Sequence, residues 1–186
     1  MDTDEKTPPV PELATRRLWL RRLKVEDAPD LHLAYGDADA MRFWDAPPSR
    51  DVAETRRRIE QSFEWDPTWQ AAWAVLSGTT DQLVGMVNYH ARNQRHRRLS
   101  VGWILLPRHW GLGYMQEAAS ALLAHCFGPL QTHRVEAEIE PDNSRSIRLA
   151  ERLGFQREGL LRDRMRVEGE PRSAFMYALL RPEWSM

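Results

Sequence analysis

The stretch from Leu99 to Phe127 constrains the fold of this chain more than any other part of its sequence. Its pattern predicts an apolar strand over Leu99–Leu106, a stop at Pro107, a glycine turn of the form Arg-x-x-Gly-x-Gly, and a helix over Tyr114–Phe127. The first backbone N–H groups of a helix have no partner within the helix, and the helix dipole favours negative charge there. The turn therefore either forms an anion site or only connects a strand to a helix.

Two common phosphate-binding loops do not fit this turn. Gly111 and Gly113 lack the third glycine of the dinucleotide-binding fingerprint, and short links join the preceding strands as a meander. No Gly-Lys-Ser/Thr follows, as the phosphate loop of NTPases requires. The sequence thus excludes these two classes.

Composition indicates a single domain of ordinary charge. The 186 residues suit one domain, and a formal net charge of −1 argues against nucleic acid as a partner. The single cysteine, Cys126, excludes an intrachain disulfide and is typical of a reducing cytoplasm. No apolar run is long enough to span a membrane, so we expect a cytoplasmic protein. Prolines among charged residues predict a flexible tail over 1–14, followed by one domain over 15–186.

The periodicity of apolar residues predicts an α/β fold with a mixed sheet and helices on both faces. Short links between the early strands favour antiparallel pairing, whereas a helical crossover makes Leu99–Leu106 parallel to Thr132–Ile139. The other predicted strands are Thr15–Leu23, Gln70–Leu76, Gln82–His90, Phe155–Leu161 and Ala174–Leu180. The other predicted helices are Glu26–Tyr35, Asp39–Trp44, Asp51–Phe63 and Asn143–Leu153.

A second motif opens the helix that follows Thr132–Ile139. Asn143 suits an N-cap, and Ser146 lies one turn further on, on the side facing the strand end. Each residue has an ordinary structural role as well, since an N-cap and a first-turn serine both bond to the backbone. The motif alone leaves a functional role open.

Together the two motifs resemble the GNAT superfamily of acyl-CoA-dependent N-acyltransferases. The branch that they resemble is that of the ribosomal-protein N-terminal (Rim-type) acetyltransferases. The resemblance covers roughly Leu18 to Leu180, and the motifs occur in the family's order and spacing. The matching segments are Arg108-x-x-Gly111-x-Gly113, Tyr114-Met-Gln-Glu117-Ala118, Asp142-Asn143-x-x-Ser146 and Leu153-Gly154-Phe155-x-x-Glu158-Gly159.

The resemblance implies a mostly antiparallel sheet whose one parallel strand pair splays apart to admit acyl-CoA. It implies acetyl-CoA as co-substrate and no metal. The glycine turn would hold the pyrophosphate, and the strand edge would pair with the pantetheine. A backbone N–H near Ile104 would bind the thioester carbonyl. The implied CoA-binding residues are Ile104, Leu105, Leu106, Arg108, His109, Trp110, Gly111, Leu112, Gly113, Tyr114, Asn143 and Ser146.

The resemblance assigns the catalytic acid more clearly than the base. Ser146 matches the family position that protonates the departing thiolate. Many relatives carry a glutamate two residues before Gly102, where this chain has Ser100, and a serine alone is no base. An α-amine, with a pKa of about 7.7–8.0, needs only a weak base. The candidates are Glu136, Glu138, His90 and a water chain. Glu138 is the preferred base, and His90 is expected to be a surface histidine.

The acceptor site would lie between the first two helices and the last hairpin. Phe43, Trp44, Asp45 and Asp163 combine aromatic rings with carboxylates, which suits a cationic amine. The alternative is that the rings fill the core and the carboxylates are solvated.

The leading hypothesis is an N-acetyltransferase that acts on a protein N-terminus or on a small-molecule amine. One alternative is a degenerate acyl-CoA-binding sensor, suggested by the missing glutamate at Ser100. A weaker alternative is a ribosome- or RNA-associated protein that uses the arginine-rich loop over Arg92–Arg98. An edge strand of the last hairpin also leaves a homodimer open.

Overall fold

The computed structural model describes residues 10–63 and 68–185, and over these residues the chain forms one eight-stranded sheet. Its strands are β1 (Leu13–Ala14), β2 (Leu18–Arg22), β3 (Ala71–Ser77), β4 (Leu83–Asn93), β5 (Arg98–Leu105), β6 (Arg134–Ile139), β7 (Gln156–Val167) and β8 (Glu170–Leu180). The order across the sheet is β1-β2-β3-β4-β5-β6-β8-β7. Only β5 and β6 pair in parallel within it.

Helices cover both faces of the sheet. They are α1 (Ala28–Tyr35), α2 (Ala38–Met41), α3 (Val52–Phe63), α4 (Tyr114–Phe127) and α5 (Ser144–Arg152). One buried cluster joins α1, α2 and α3 to the sheet, and it includes Leu31, Met41 and Ile59. A second cluster, which includes Leu122 and Ala150, joins α4 and α5 to the opposite face. The mixed, mostly antiparallel sheet with helices on both faces confirms the predicted fold class.

The strand β5 contributes side chains to both faces in alternation. Leu99 and Val101 lie in the core beneath α4 and α5, whereas Ile104 lies in the core beneath α1, α2 and α3. Because side chains alternate along a strand, Ser100 and Gly102 share the second face with Ile104. The strand therefore contributes side chains to both hydrophobic cores, one on each face of the sheet.

Two helices differ in extent from the prediction. A 3-10 turn over Val25–Asp27 precedes α1, so the α-helix begins two residues after the predicted Glu26. The carboxylate of Asp37 accepts a hydrogen bond from the Ala40 N–H at 2.8 Å and starts α2 at Ala38. That helix ends at Met41, and Trp44 packs against Tyr35 with ring centroids 6.0 Å apart.

The last hairpin is longer than predicted. Strand β7 continues to Val167 and β8 begins at Glu170, so the turn between them is Glu168-Gly169. Both turn residues have positive φ, 51° and 87°, as in the tight turn that suits the twist of a hairpin. Strand β8 lies between β6 and β7, which leaves β7 at the edge of the sheet.

The predicted tail over 1–14 is attached at its described end. Residues 1–9 lie outside the described residues. Strand β1 pairs with β2, and the Trp73 Nε1–H donates to the Pro11 carbonyl at 2.7 Å. This indole bond and the strand pairing fix the chain from Pro11 onward, which the polar, proline-bearing sequence did not indicate.

Candidate active site

A wedge opens between β5 and β6. The two strands pair only where Arg98–Ser100 faces Arg134–Glu136. Beyond Ser100, β5 keeps its pairing with β4, and β6 keeps its pairing with β8. The edge of β5 that faces β6 therefore has no strand partner from Val101 to Leu105, and the wedge has its apex at Ser100.

The register of β4 and β5 decides which backbone groups face this wedge. The Leu106 N–H donates to the Val84 carbonyl at 2.9 Å, and the pairing continues without a shift from Leu105 to Ser100. Backbone groups of an antiparallel strand point alternately to its two sides. The N–H of Ile104 therefore faces Met86 on β4, whereas the backbone groups of Trp103 and Leu105 face the wedge.

This register corrects the expectation for the thioester-binding donor. The resemblance implied a backbone N–H near Ile104, and the pairing with Met86 turns the N–H of Ile104 itself away from the wedge. Trp103, one residue earlier, presents its N–H to the wedge instead. The Leu105 carbonyl also faces the wedge, since it accepts a hydrogen bond at 3.0 Å from the indole of Trp110 rather than from β4.

The glycine turn forms an open cradle at the wide end of the wedge. Gly111 and Gly113 have φ of 79° and 74°, a region that favours glycine. Gly113 is the N-cap of α4 and provides no side-chain cap, so the first N–H groups of the helix remain available. A Cβ atom at Gly111 would meet no atom within 4 Å. The residues present therefore fit a phosphate group at this helix N-terminus.

An ion pair connects this turn to Arg17, the residue before β2. Arg17 Nε lies 2.6 Å from the Glu117 carboxylate, and the Arg17 Nη1 donates to the Leu112 carbonyl at 3.0 Å. Glu117 also accepts from the Thr15 hydroxyl at 2.6 Å. Burial raises the pKa of Glu117, but the hydrogen bonds from Thr15 and Arg17 outweigh it, so this pKa lies below its ordinary value. Glu117 thus holds the first turn of α4 in place.

We expect Glu117→Gln to destabilise the fold by about 2 kcal/mol, because a carboxylate with several donors becomes a neutral amide. Urea unfolding at neutral pH measures this change, and Glu60→Gln, at an exposed position on α3, is the control. A carboxyl group with a lowered pKa in the folded state stabilises above its unfolded pKa, and this contribution is lost as the pH falls through the folded pKa. The two chains should therefore converge in stability in acid. Equal stability at neutral pH would contradict this role.

Two tryptophans connect the wedge to α5. The Trp103 Nε1–H donates to the Ser146 Oγ at 3.2 Å. The guanidinium of Arg145 lies 4.0 Å from the ring centroid of Trp110, which also bonds to the Leu105 carbonyl. The sequence motif drew attention to Ser146 as a candidate. The residues around Trp103 and Trp110 in the sequence did not indicate that these two rings contact α5.

Asn143 and Ser146 are arranged by the start of α5. The Asn143 side chain accepts from the Ser146 N–H at 3.1 Å, so its oxygen caps the helix. Among the described residues, the amide nitrogen of Asn143 donates no hydrogen bond, so its N–H groups are available. Since the Ser146 oxygen accepts from Trp103, the hydroxyl proton of Ser146 can point into the wedge.

The glutamates of β6 are held by arginines. Both oxygens of Glu138 accept from Arg164, at 2.8 and 2.9 Å. This pairing raises the pKa of Arg164. Glu136 bonds to Arg98 and Arg134. Because the guanidinium of Arg164 occupies both carboxylate oxygens in this bidentate pair, the geometry does not favour Glu138 as the base.

The expected acceptor residues are only partly brought together. Trp44 lines a cleft of about 210 Å³ on the α1–α3 face, with Tyr35 and Asn88. Phe43 lies beneath the Arg42 guanidinium, 5.2 Å from its ring centroid, and Asp45 is exposed nearby in the chain. Asp163 is exposed on β7, where its N–H donates to the Ser173 hydroxyl at 3.1 Å. The cleft therefore includes Trp44 but neither carboxylate among its described lining residues.

The other features that the sequence suggested contribute little to the candidate site. In the arginine-rich loop, Arg97 donates a hydrogen bond to the Gln131 carbonyl, and Arg98 donates one to the Glu136 carboxylate. Both side chains therefore have partners within the protein. Across residues 10–63 and 68–185, no group of three or more His, Cys, Asp or Glu could hold a metal ion. Among the described helices, none has the length and apolar character that crossing a bilayer requires.

Comparisons with known proteins identify one family. A family model described as an acetyltransferase (GNAT) domain matches residues 17–156. An uncharacterized N-acetyltransferase of Bacillus licheniformis, p20, is 33% identical over 174 residues, covering 93% of this chain and 98% of the relative. The ribosomal protein uS5-alanine N-acetyltransferase of Escherichia coli is 30% identical over 106 residues, covering 56% of this chain and 54% of the relative. The crystal structure of a GNAT-family acetyltransferase from Bacillus anthracis has a TM-score of 0.82 at 25% identity, covering 93% of this chain and all 100% of that one.

Proposed function

This chain belongs to the GNAT acetyltransferase family, and on that premise we propose that it transfers the acetyl group of acetyl-CoA to a primary amine by direct attack in a ternary complex. As an N-acetyltransferase it uses acetyl-CoA, and the identity of the amine is the open part of the proposal. The observation that carries the proposal is the wedge between β5 and β6, which widens toward the cradle at Gly111.

The wedge and the cradle suit the two ends of the donor. The cradle offers the unpaired N–H groups at the start of α4 to the pyrophosphate. The edge of β5 offers backbone groups of Trp103 to the amides of the pantetheine, as an added strand would use them. The apex at Ser100 lies at the far end of that edge, so the thioester is expected beside Trp103. Its N–H there would stabilise the charge that develops on the carbonyl oxygen.

Ser146 is the group that we propose to protonate the leaving thiolate. Its oxygen already accepts a hydrogen bond from the Trp103 indole. A hydroxyl has one proton to donate, and this arrangement frees that proton for the sulfur beside β5. The Asn143 cap fixes the backbone of Ser146 at the same time.

The α-amine of a protein N-terminus is the acceptor class that we propose first. An α-amine has an unperturbed pKa of about 7.7–8.0, against about 10.4 for lysine, so more of it is neutral near neutral pH. The Escherichia coli relative acts on the alanine of a ribosomal protein, which supports the same class. A small-molecule amine is the second candidate, since the cleft beside Trp44 has the size of a small side chain rather than of a long peptide groove.

Release of CoA thiol from acetyl-CoA tests this proposal against a panel of amines. The panel contains peptides with free N-terminal alanine or serine, the same peptides with acetylated N-termini and an internal lysine, spermidine, and free amino acids. We expect the free N-terminal peptides to give the highest kcat/KM. Highest turnover with a small amine would favour the second candidate, and no turnover with any amine would contradict the proposed function.

A further inference from the structure

The face of β5 that is covered by α1, α2 and α3 lacks the expected base. Ser100 stands there without a carboxylate, and Glu138 is held by Arg164 at both oxygens. On the neighbouring strand, His90 pairs with Ser100, and Asn88 pairs with Gly102. Residues that pair directly across antiparallel strands share a face, so these four positions form one patch beside the apex of the wedge.

The side chain of Asn88 lies over Gly102. A Cβ atom at Gly102 would come within 2.6 Å of the Asn88 Oδ1. That oxygen is buried and has no hydrogen-bond partner among the described residues. It also borders the cleft that contains Trp44. A buried amide oxygen without a donor is unfavourable, and an N–H group of a ligand in the cleft would satisfy it.

His90 lies two residues further along the same face. Burial lowers its pKa below the ordinary value, although the carboxylates of Asp45 and Glu138 act in the opposite direction. The imidazole is therefore neutral near neutral pH and has a nitrogen that can accept a proton. The charged groups around it are Asp45 from the segment after α2, Glu138 with Arg164, and Glu136 with Arg98 and Arg134 next to Ser100.

We propose that the acceptor amine binds over Gly102, where Asn88 Oδ1 accepts one of its N–H bonds and His90 accepts its proton. The inference rests on the proposed function, since it assigns the base and the amine-binding group of the same reaction. His90 lies across from Ser100 on the neighbouring strand, so a side chain on β4 supplies the proton acceptor that β5 lacks.

The amine nitrogen forms a bond to the thioester carbonyl carbon while His90 takes a proton from that nitrogen. The bond from this carbon to sulfur breaks, and Ser146 gives its hydroxyl proton to the sulfur. His90 then loses a proton to solvent and Ser146 regains one, so the products are the acetylated amine and the free thiol of CoA.

His90→Gln tests the proton transfer, with the amine of the panel that the unmodified chain acetylates fastest as the probe. We expect kcat to fall roughly 100-fold, in line with the loss of a general base, while the KM for acetyl-CoA stays unchanged. Against pH, log(kcat/KM) for the amine should fall with slope two at acid pH in the unmodified chain and with slope one in the variant. His96→Gln, in the exposed turn between β4 and β5, is the matched control.

His90→Ala provides a second, independent variant. Added imidazole should restore part of its turnover, which a purely structural role of His90 would not allow. An unchanged kcat and pH profile in His90→Gln, or no rescue of His90→Ala by imidazole, would overturn the inference while leaving the proposed function in place. An unmodified chain that acetylates no amine of the panel would overturn both.

Asn88→Ala tests the amine-binding group. We expect the KM for the amine to rise about tenfold, while kcat and the KM for acetyl-CoA change little. Gly102→Ala should raise the same KM, because its Cβ would displace the Asn88 oxygen. The double variant should be no worse than Asn88→Ala alone, since the displaced oxygen is already absent. Additive effects, or an unchanged KM for the amine, would contradict the role of Asn88.

Discussion

Gly111→Asp should abolish the binding of CoA while the protein still folds. The new carboxylate would stand in the cradle at the start of α4, where the pyrophosphate is expected, and two negative groups would repel each other there. We expect the affinity for CoA, measured by calorimetric titration, to fall roughly 100-fold or more. Unchanged affinity would mean that the pyrophosphate binds elsewhere on the chain.

The β7–β8 turn offers a matched control for this variant. Gly169 has φ of 87°, and a Cβ there would also meet no atom within 4 Å. Gly169→Asp therefore carries the same cost of about 1–2 kcal/mol for a side chain in the left-handed region. The two variants should lose similar stability in urea unfolding, and only Gly111→Asp should lose CoA binding. A loss of binding in both variants would indicate general destabilisation instead.

Ser146→Ala should reduce kcat roughly 100-fold and leave the KM for acetyl-CoA nearly unchanged, because the departing thiolate loses its proton donor. Steady-state release of the CoA thiol measures both constants. Ser144→Ala, at an exposed position in the same turn of α5, is the control and should retain its kcat. An unchanged kcat in Ser146→Ala would show that water protonates the sulfur.

Trp103→Phe tests whether the orientation of the Ser146 hydroxyl contributes to catalysis in addition to its presence. The ring is kept, but the indole N–H that reaches the Ser146 oxygen over 3.2 Å is removed. We expect a decrease in kcat of about tenfold, which corresponds to one lost hydrogen bond of ordinary strength. In the Ser146→Ala background, Trp103→Phe should cause no further decrease, because both substitutions remove the same interaction.

Local sequence patterns were sufficient for the elements that form the wedge. The glycine turn and the cap at Asn143 depend on residues a few positions apart, so the sequence indicated the cradle and the start of α5. The sequence did not indicate which residues of β5 pair with which residues of β4. A shift of one residue exchanges the two sides of a strand, and this is why Trp103 rather than Ile104 faces the wedge.

The remaining differences come from contacts between distant parts of the chain. Arg17 and Glu117 are 100 positions apart, and Trp103 and Ser146 are 43 positions apart. Arg164 reaches Glu138 from another strand over 26 positions and occupies the carboxylate that the sequence suggested as base. No periodicity in the sequence encodes such pairs, because the folded sheet alone brings them together.

The division of β5 between backbone groups at its edge and side chains on its faces also affects how a protein of this fold can change its substrate. The donor would be held mainly by backbone groups at the strand edge and at the glycine turn, which most side-chain substitutions leave intact. The amine would be recognised by side chains on one face, such as Asn88 and Trp44. Mutations can therefore alter the choice of amine without weakening the binding of a constant donor. Such independence of the two binding surfaces allows new acceptor specificities to evolve in small steps on an unchanged scaffold.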